Sequence, residues 1–346
     1  MTDKTADQTE TKAAPLAPPA QPAGPSPDKL IVSSSPHFLN TESVPKIMHT
    51  VVMALFPAVA ASVYFFGFRA LLLVLVCVGS CMLSEYWMQK IRKKPVTVHD
   101  GSAIITGMLL ALTLPPSFPI FGAFLGSFFA IVVGKQLFGG LGFNIFNPAL
   151  LGRAFMQATY PVLITTWTTP RTIAEAVDAV SAATPLALMK FEGKTTPIMD
   201  LFVGNVAGSM GETSVIAILI GGLYLRYKGY INWKLPLGYL GAIAVVGGVF
   251  WLVNPAKYPS PLFHLFAGGA MLGAWFMVTD MVTSPVTPLG QWIFAICGGV
   301  MAVVIRLLGG LPEGVMYSIL FMNAFVPLLN KHTRPKVFGE IKAEQS

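Results

Sequence analysis

The sequence has few charged residues. They make up 11% of its 346 residues, whereas hydrophobic residues make up 54%. A typical soluble domain carries about 25% charged residues, so this composition excludes a chain with a water-exposed globular surface. We therefore predict an all-α membrane protein that crosses the bilayer several times.

Cysteine is also scarce, with Cys77, Cys81 and Cys297 as its three occurrences. Cys77 and Cys81 lie one helical turn apart in an apolar run, with no His or further Cys nearby to complete a metal site. Helix packing is therefore favoured for them, and no metal site is predicted.

Familiar catalytic motifs are missing from the sequence. It has no Walker loop, no zinc-protease helix and no nucleophile elbow, and its Gly-Gly pairs lack the strand and the acidic residue of a dinucleotide fingerprint. We predict no catalytic residue within the chain. The net charge of +7 does not indicate nucleic acid as a partner here, because the short cytoplasmic loops of membrane proteins collect Lys and Arg.

Apolar runs of nearly membrane-spanning length recur along the chain. They lie near 47–66, 69–89, 103–114, 118–134, 145–165, 213–226, 236–253, 264–281, 288–305 and 312–329. The two sets of five start at similar offsets, and Lys135-Gln-Leu-Phe-Gly139 resembles Arg306-Leu-Leu-Gly309. These repeats predict about ten transmembrane helices arranged as two inverted five-helix repeats, because an odd number of spans turns the second copy upside down.

This repeat predicts five regions of the chain. They are a disordered cytoplasmic tail (1–30), a first membrane repeat (31–165), an outer-face loop (166–212), a second membrane repeat (213–330) and a cytoplasmic C-terminal tail (331–346). With the N-terminus inside, sixteen Lys and Arg fall on the cytoplasmic side and six on the other, which favours this orientation. The polar stretch between Trp167 and Thr213 is then expected to lie in water, outside the membrane.

Prolines follow the third and eighth runs, at Pro115-Pro116 and Pro285. They indicate either helices broken within the membrane or loops at its surface, and the sequence favours neither. Among ionisable groups near the runs, Glu85 and Arg306 are expected to snorkel to the interface. Arg153 lies deeper in its run, where we expect a structural ion pair or a ligand contact. Asp280 is expected to belong to an ion path or to cap a helix end.

The polar stretch contains Asp178-Ala-Val-Ser181-Ala-Ala-Thr184-Pro185. The Thr184 hydroxyl is a point of attachment, Ala182 and Ala183 leave room for a modifying enzyme, and Asp178 and Ser181 are placed to orient the acceptor. Since a threonine hydroxyl is a poor nucleophile, that enzyme would have to activate it. Taken alone, Ser-Ala-Ala-Thr is a common pattern and is more typical of a helix cap at Thr184 followed by Pro185 at the first helical position.

This segment resembles the flavinylation signature Asp-x-x-Ser/Thr-Gly-Ala-Thr of membrane subunits of the Rnf electron-transport complex and of the related sodium-translocating NADH:quinone reductase. Ala182 replaces the usual glycine. Further similarity to the D subunit of the Rnf complex lies in Ser34-Ser-Pro36-His37, Lys135-Gln-Leu-Phe-Gly-Gly-Leu-Gly142, Asn144-Ile-Phe-Asn-Pro148, Leu272-Gly-Ala-Trp-Phe-Met-Val-Thr-Asp280 and Thr333-Arg-Pro-Lys-Val-Phe-Gly339. The counterpart in the quinone reductase, its B subunit, is usually longer.

The resemblance implies a flavoprotein subunit in the inner membrane of a bacterial cell, in a complex that couples electron transfer between ferredoxin and NAD to Na⁺ or H⁺ translocation. FMN would be joined through its phosphate to Thr184, with Asp178, Ser181 and Ala183 around it. Riboflavin, held noncovalently between the helices, is a second cofactor of relatives. The implied partners are the other Rnf subunits, a flavin transferase and membrane lipid. The implied fold consists of inverted repeats similar to those of urea channels.

Two other functions fit the same residues. A channel or carrier without redox chemistry would also use inverted repeats and broken helices. A scaffold that seats neighbouring subunits would leave Thr184 unmodified.

Overall fold

The computed structural model describes residues 42–170 and 181–335, including only the backbone of Ser181. Helices dominate these ranges. Those of the first half are α1 (Val44–Phe66), α2 (Phe68–Ile91), α3 (Ser102–Thr113), α4 (Ile120–Ile131, continued by a π-helix over Val132–Gln136), α5 (Pro148–Thr159) and α6 (Pro161–Ile164), with a 3₁₀ turn at Val98–Asp100.

A small two-stranded antiparallel sheet follows, in which β1 (Trp167–Thr168) pairs with β2 (Ser181–Ala182). The remaining helices are α7 (Pro185–Ala187, continued by a π-helix over Leu188–Glu192), α8 (Ile198–Val203), α9 (Val215–Tyr227), α10 (Lys234–Val253), α11 (Pro261–Phe266), α12 (Ala270–Leu272, continued by a π-helix over Gly273–Met277), α13 (Pro288–Leu308) and α14 (Val315–His332).

Four helices of the described chain, α1, α2, α10 and α13, are long and apolar enough to cross a membrane. The apolar helices α3, α4 and α9 are shorter. Each of the ten apolar runs overlaps at least one helix, and large apolar side chains such as Met53 and Val245 face outward. The prediction of a helical membrane protein is thus confirmed.

Side-chain caps fix where several helices begin. The Asn147 side chain accepts hydrogen bonds from the backbone N–H groups of Ala149 and Leu150, and Pro148 occupies the first helical position of α5. Ser43 and Thr287 cap α1 and α13 in the same way. These bonds satisfy donors that a helix start otherwise leaves without partners.

Small residues let the helices approach closely. At Gly221 in α9, an added Cβ would lie 1.9 Å from the carbonyl oxygen of Ala54 in α1. At Gly299 in α13, it would lie 2.4 Å from the carbonyl oxygen of Tyr239 in α10. Close backbone approach of this kind is a main source of helix association where lipid removes the hydrophobic driving force.

Two helices are interrupted inside the protein. Helix α3 has 12 residues, about 18 Å of rise against a hydrocarbon core of about 30 Å, and the residues after it, Leu114, Pro115 and Pro116, are buried. The first proline pair therefore marks an internal helix end. In the second half the break falls earlier than Pro285, at Ala267–Gly269 between α11 and α12, where Gly268 has φ +68°.

Candidate functional site

Thr184 occupies the N-cap position of α7, with Pro185 at the first helical position. Its Oγ1 accepts a hydrogen bond from the Ala187 N–H at 3.2 Å, and the residue is 3% exposed. The helix cap expected from the sequence pattern is therefore present. The hydroxyl lies within the folded protein, whereas the sequence predicted a position in water outside the membrane.

A cavity of about 490 Å³ lies beside this segment, and we call it the peripheral cavity. Ala183 and Ala187, on either side of Thr184, both line it. The rest of its wall is Arg153, Gln157, Ile164, Thr165, Thr166, Trp167, Ala182, Phe191, Gly310, Leu311, Pro312 and Glu313. The wall thus combines aromatic surface, hydroxyl groups and one ion pair.

The structure brings together only part of the predicted site. Ala183, Thr184 and Arg153 lie at or next to the peripheral cavity. Asp178 lies outside the described residues, and Ser181 contributes its backbone to β2, opposite Thr168. Asp280 does not line this cavity.

Arg153 in α5 forms an ion pair with Glu313, which lies just before α14. Both residues are largely buried, with side chains 6% and 19% exposed. The structural pair expected for Arg153 is present. Glu313, its partner from the other end of the chain, was not among the predicted site residues.

The segment 204–213 enters the protein interior, although the sequence placed it in a water-exposed stretch. The backbone N–H groups of Met210 and Gly211 donate to the carbonyl oxygens of Leu114 at 3.1 Å and Leu112 at 2.6 Å. These bonds satisfy carbonyl groups at the C-terminal end of α3, which explains how a polar connection is accommodated inside the protein.

Behind the Arg153–Glu313 pair, this segment helps to enclose a space of about 30 Å³, the buried chamber. Its polar lining comprises Thr113, Arg153, Ser209, Glu212, Arg306 and Glu313. Glu212 is 8% exposed and Ser209 is fully buried. The sequence-based prediction missed both residues, because a polar run between apolar ones resembles a surface loop.

Arg306 does not snorkel. It is 1% exposed and donates from Nη1 to the carbonyl oxygen of His264 at 2.6 Å and from Nη2 to that of Ala267 at 3.0 Å. These carbonyls belong to the end of α11, where the helix break leaves acceptors without helical partners and a cation is favourable. The expected interfacial position was wrong because a neighbouring helix end supplies the partner.

Glu85 does not snorkel either. Its carboxylate is 1% exposed and forms an ion pair with Lys135 at 2.7 Å, and Lys135 also donates to Ser102 Oγ at 2.6 Å. The count of basic residues had placed Lys135 at the cytoplasmic surface and Arg306 at the outer one. When Lys135 and Arg306 are left out of the count, the excess of basic residues on the cytoplasmic side is unchanged.

Asp280 holds a local turn. Its carboxylate accepts from the Val282 N–H at 3.2 Å and from Thr283 Oγ1 at 2.9 Å. It also lines a separate cavity of about 90 Å³ with Asn144 and Asn147, away from Thr184. The two hydrogen bonds hold a local turn and not a helix end, since the preceding helical segment ends at Met277 and α13 begins at Pro288 with Thr287 as its cap.

Lys190, in the π-helix that continues α7, ties the Thr184 segment to the end of α13. Its Nζ donates to the carbonyl oxygens of Arg306 at 2.9 Å, Gly309 at 2.5 Å and Leu311 at 2.9 Å. Partial burial lowers the pKa of this amine. These three hydrogen bonds hold the Thr184 segment against the end of α13, so the two walls of the peripheral cavity that they form keep a fixed relative position.

The chain matches a model of the NQR2, RnfD, RnfE family over residues 31–339. It is 47% identical over 321 residues to the D subunit of the Na⁺-translocating ferredoxin:NAD⁺ oxidoreductase complex of Acetobacterium woodii, covering 91% of this chain and 97% of that protein. It is 45% identical over 318 residues to the D subunit of the proton-translocating counterpart of Clostridium ljungdahlii, covering 89% and 96%.

A more distant relative is the D subunit of the ion-translocating oxidoreductase complex of Cronobacter sakazakii. It is 35% identical over 344 residues, covering 89% of this chain and 98% of that protein. The resemblance seen in the sequence motifs is thus confirmed over most of the chain, which belongs to the NQR2, RnfD, RnfE family.

Proposed function

We propose that this chain is the membrane flavoprotein subunit of a complex that couples electron transfer between ferredoxin and NAD to ion translocation, with FMN joined to Thr184. Family membership and the functions for which the two relatives above 40% identity are named support the complex and its redox reaction. The chain acts there as one component of a redox-driven translocase, with the other Rnf subunits as its partners.

The translocated ion is Na⁺ or H⁺. The relative with 47% identity is named for Na⁺ and the one with 45% identity for protons. The chain is similarly close to both relatives, so its complex translocates one ion or the other.

The observation that carries the flavin proposal is the position of Thr184 beside the peripheral cavity, with Ala183 and Ala187 in its wall. The volume of about 490 Å³ falls within the usual range of cofactor sites, about 300 to 1,000 Å³. Trp167 and Phe191 offer apolar surface to a ring, and the Arg153 guanidinium, which is paired with Glu313 through Nη2, has further N–H groups suited to a phosphate. These residues fit the group that the family resemblance implies.

The protein's own residues would hold and position this cofactor. Thr184 provides the ester oxygen, and Lys190 fixes the segment that carries it. A bound flavin supplies the one- and two-electron chemistry that side chains lack. Because Thr184 is 3% exposed, we propose that the flavin transferase acts before this segment packs against the protein.

The test is in-gel fluorescence of the denatured protein under ultraviolet light. The wild-type band should fluoresce, and Thr184→Val should remove the signal because the ester oxygen is gone. Thr166→Val is the matched control, since Thr166 lines the same cavity and, among the described residues, its hydroxyl donates to the Val162 carbonyl oxygen alone. Covalent fluorescence that persists in Thr184→Val would refute the assignment.

A second flavin, riboflavin held noncovalently between the helices, is also part of the proposal. It is supported by the family resemblance, and no residue is assigned to it. Acid extraction of purified Thr184→Val should release free riboflavin, and an extract without flavin would remove this cofactor from the proposal.

We further propose that the helices form two inverted five-helix repeats, with both termini cytoplasmic in the bacterial inner membrane and Thr184 toward the outside. Equivalent packing supports the repeat, because α2 contacts α4 as α10 contacts α13, and α4 contacts α5 as α13 contacts α14. The related positions Lys135 and Arg306 are both buried cations.

A channel or carrier without redox chemistry is the second candidate. The two interrupted helices favour it, because α3 ends and α11 breaks beside buried polar groups. It predicts a colourless purified protein that conducts a solute in liposomes without partner subunits.

A further inference from the structure

The buried chamber contains polar groups that the proposed function does not use. Ser209 Oγ and Arg306 Nε are buried and have no hydrogen-bond partner among the residues that the structure describes. Both residues line the chamber together with Glu212. A buried polar atom without a partner costs roughly 1 to 3 kcal/mol, so these atoms call for a ligand in the space between them.

The size of the chamber limits what that ligand can be. At about 30 Å³ it holds one or two water molecules and excludes any organic molecule. A water there has Ser209 Oγ, Arg306 Nε and the Glu212 carboxyl group as candidate partners, which matches the two to four hydrogen bonds of typical buried waters.

The charges around Glu212 disfavour a bare carboxylate. Within the described residues Glu212 makes no ion pair, whereas Arg153 is paired with Glu313. Arg306 donates to two carbonyl oxygens at the end of α11. The remaining lining from α3 and α12, Thr113 and Leu272, is not ionisable. A buried carboxylate without a direct cation is costly, and a proton removes that cost.

We propose that Glu212 carries an exchangeable proton in a water-containing chamber behind the Arg153–Glu313 pair. The two guanidinium groups in the lining offset its two carboxyl groups, and the few oxygen atoms present fall short of the six to eight that hard cations such as Ca²⁺ collect. Arg153 and Glu313 also line the peripheral cavity, so this ion pair separates the protonated group from the space beside Thr184.

Infrared spectroscopy of the purified full chain tests this assignment. The wild type should show, near neutral pH, the carbonyl stretch of a protonated carboxylic acid that shifts in D₂O, and Glu212→Gln should lose it. Glu192→Gln is a control that should keep the band, because Glu192 is exposed and paired with Lys194. A band that persists in Glu212→Gln, or disappears in Asp280→Asn instead, overturns the assignment.

Two further measurements follow the same carbonyl band. If Glu212→Gln does not fold, Ser209→Ala should shift the frequency of the band without removing it, and an unchanged frequency counts against the chamber. Replacing choline chloride with NaCl should leave the band intact, whereas its loss would show a cation site and overturn the proton assignment. Glu212 holds its proton whether or not a flavin is attached, so Thr184→Val should keep the band.

Discussion

Arg153 and Glu313 are 160 residues apart in the chain and form an ion pair between α5 and the start of α14. The pair joins the first half of the described chain to its last third. It also forms part of the wall of both the peripheral cavity and the buried chamber. One interaction therefore contributes to the stability of the fold and to the separation of two polar spaces.

Removing one partner of this pair should destabilise the protein more than removing both. Arg153→Met leaves Glu313 without its cation, at a cost of roughly 3 kcal/mol, because Glu313 is partly shielded from water. We expect the thermal midpoint in detergent, followed by tryptophan fluorescence, to fall by several degrees.

The double variant Arg153→Met with Glu313→Met should recover much of this loss, since it leaves no unpaired charge. Glu192→Gln, which removes an exposed pair with Lys194, should leave the midpoint unchanged. Losses that simply add in the double variant would show that the two side chains do not interact.

The contact between α1 and α9 should depend on Gly221. An alanine Cβ there would overlap the Ala54 carbonyl oxygen, so Gly221→Ala should push the helices apart and cost roughly 1 to 3 kcal/mol. Gly241→Ala is the matched control, because no atom of another described helix lies within 4 Å of the added methyl group. Equal thermal midpoints for the two variants would contradict the close approach.

Thr184 should tolerate serine in both of its roles. A serine hydroxyl offers the same ester oxygen and the same acceptor for the Ala187 N–H, so Thr184→Ser should keep the flavin fluorescence and the stability of α7. Mass spectrometry of the peptide that contains residue 184 should show the mass of FMN less one water in both proteins. An unmodified wild-type peptide would argue against covalent attachment.

Labelling of introduced cysteines should establish the orientation. Lys194 and Lys331 are exposed and lie on opposite predicted sides of the membrane. In a Cys297→Ser background, Lys194→Cys should react with an impermeant maleimide in cells with a permeabilised outer membrane. Lys331→Cys should react only after lysis. The reverse pattern would invert the proposed topology.

The sequence indicated the helices well because each apolar run is long enough to show its character locally. The end of α3 was also foreseeable, since Pro115 cannot continue a helix. The second break was not, because it depends on Gly268, whose left-handed conformation has no comparably strong local signal.

The polar interior was the part that sequence patterns missed. A charge within an apolar run needs a partner. Glu85 and Lys135 are partners of opposite charge, but they belong to different runs and the sequence does not show that they meet. The partners of Arg306 are backbone carbonyls exposed by a helix break, and Glu212 is buried because its segment bonds to α3. Such relationships arise from three-dimensional packing and leave no periodic trace.

The two backbone hydrogen bonds from Met210 and Gly211 to the end of α3 constrain how the protein can move. An alternating-access carrier rocks one half of its fold against the other. Here the connection between the halves is bonded to the interior of the first half, and an added Cβ at Gly211 would lie 2.8 Å from the Leu112 Cβ, so little clearance remains for sliding. Such a rigid connection suits the proposed role, in which Thr184 would hold a flavin at a fixed distance from its redox partners.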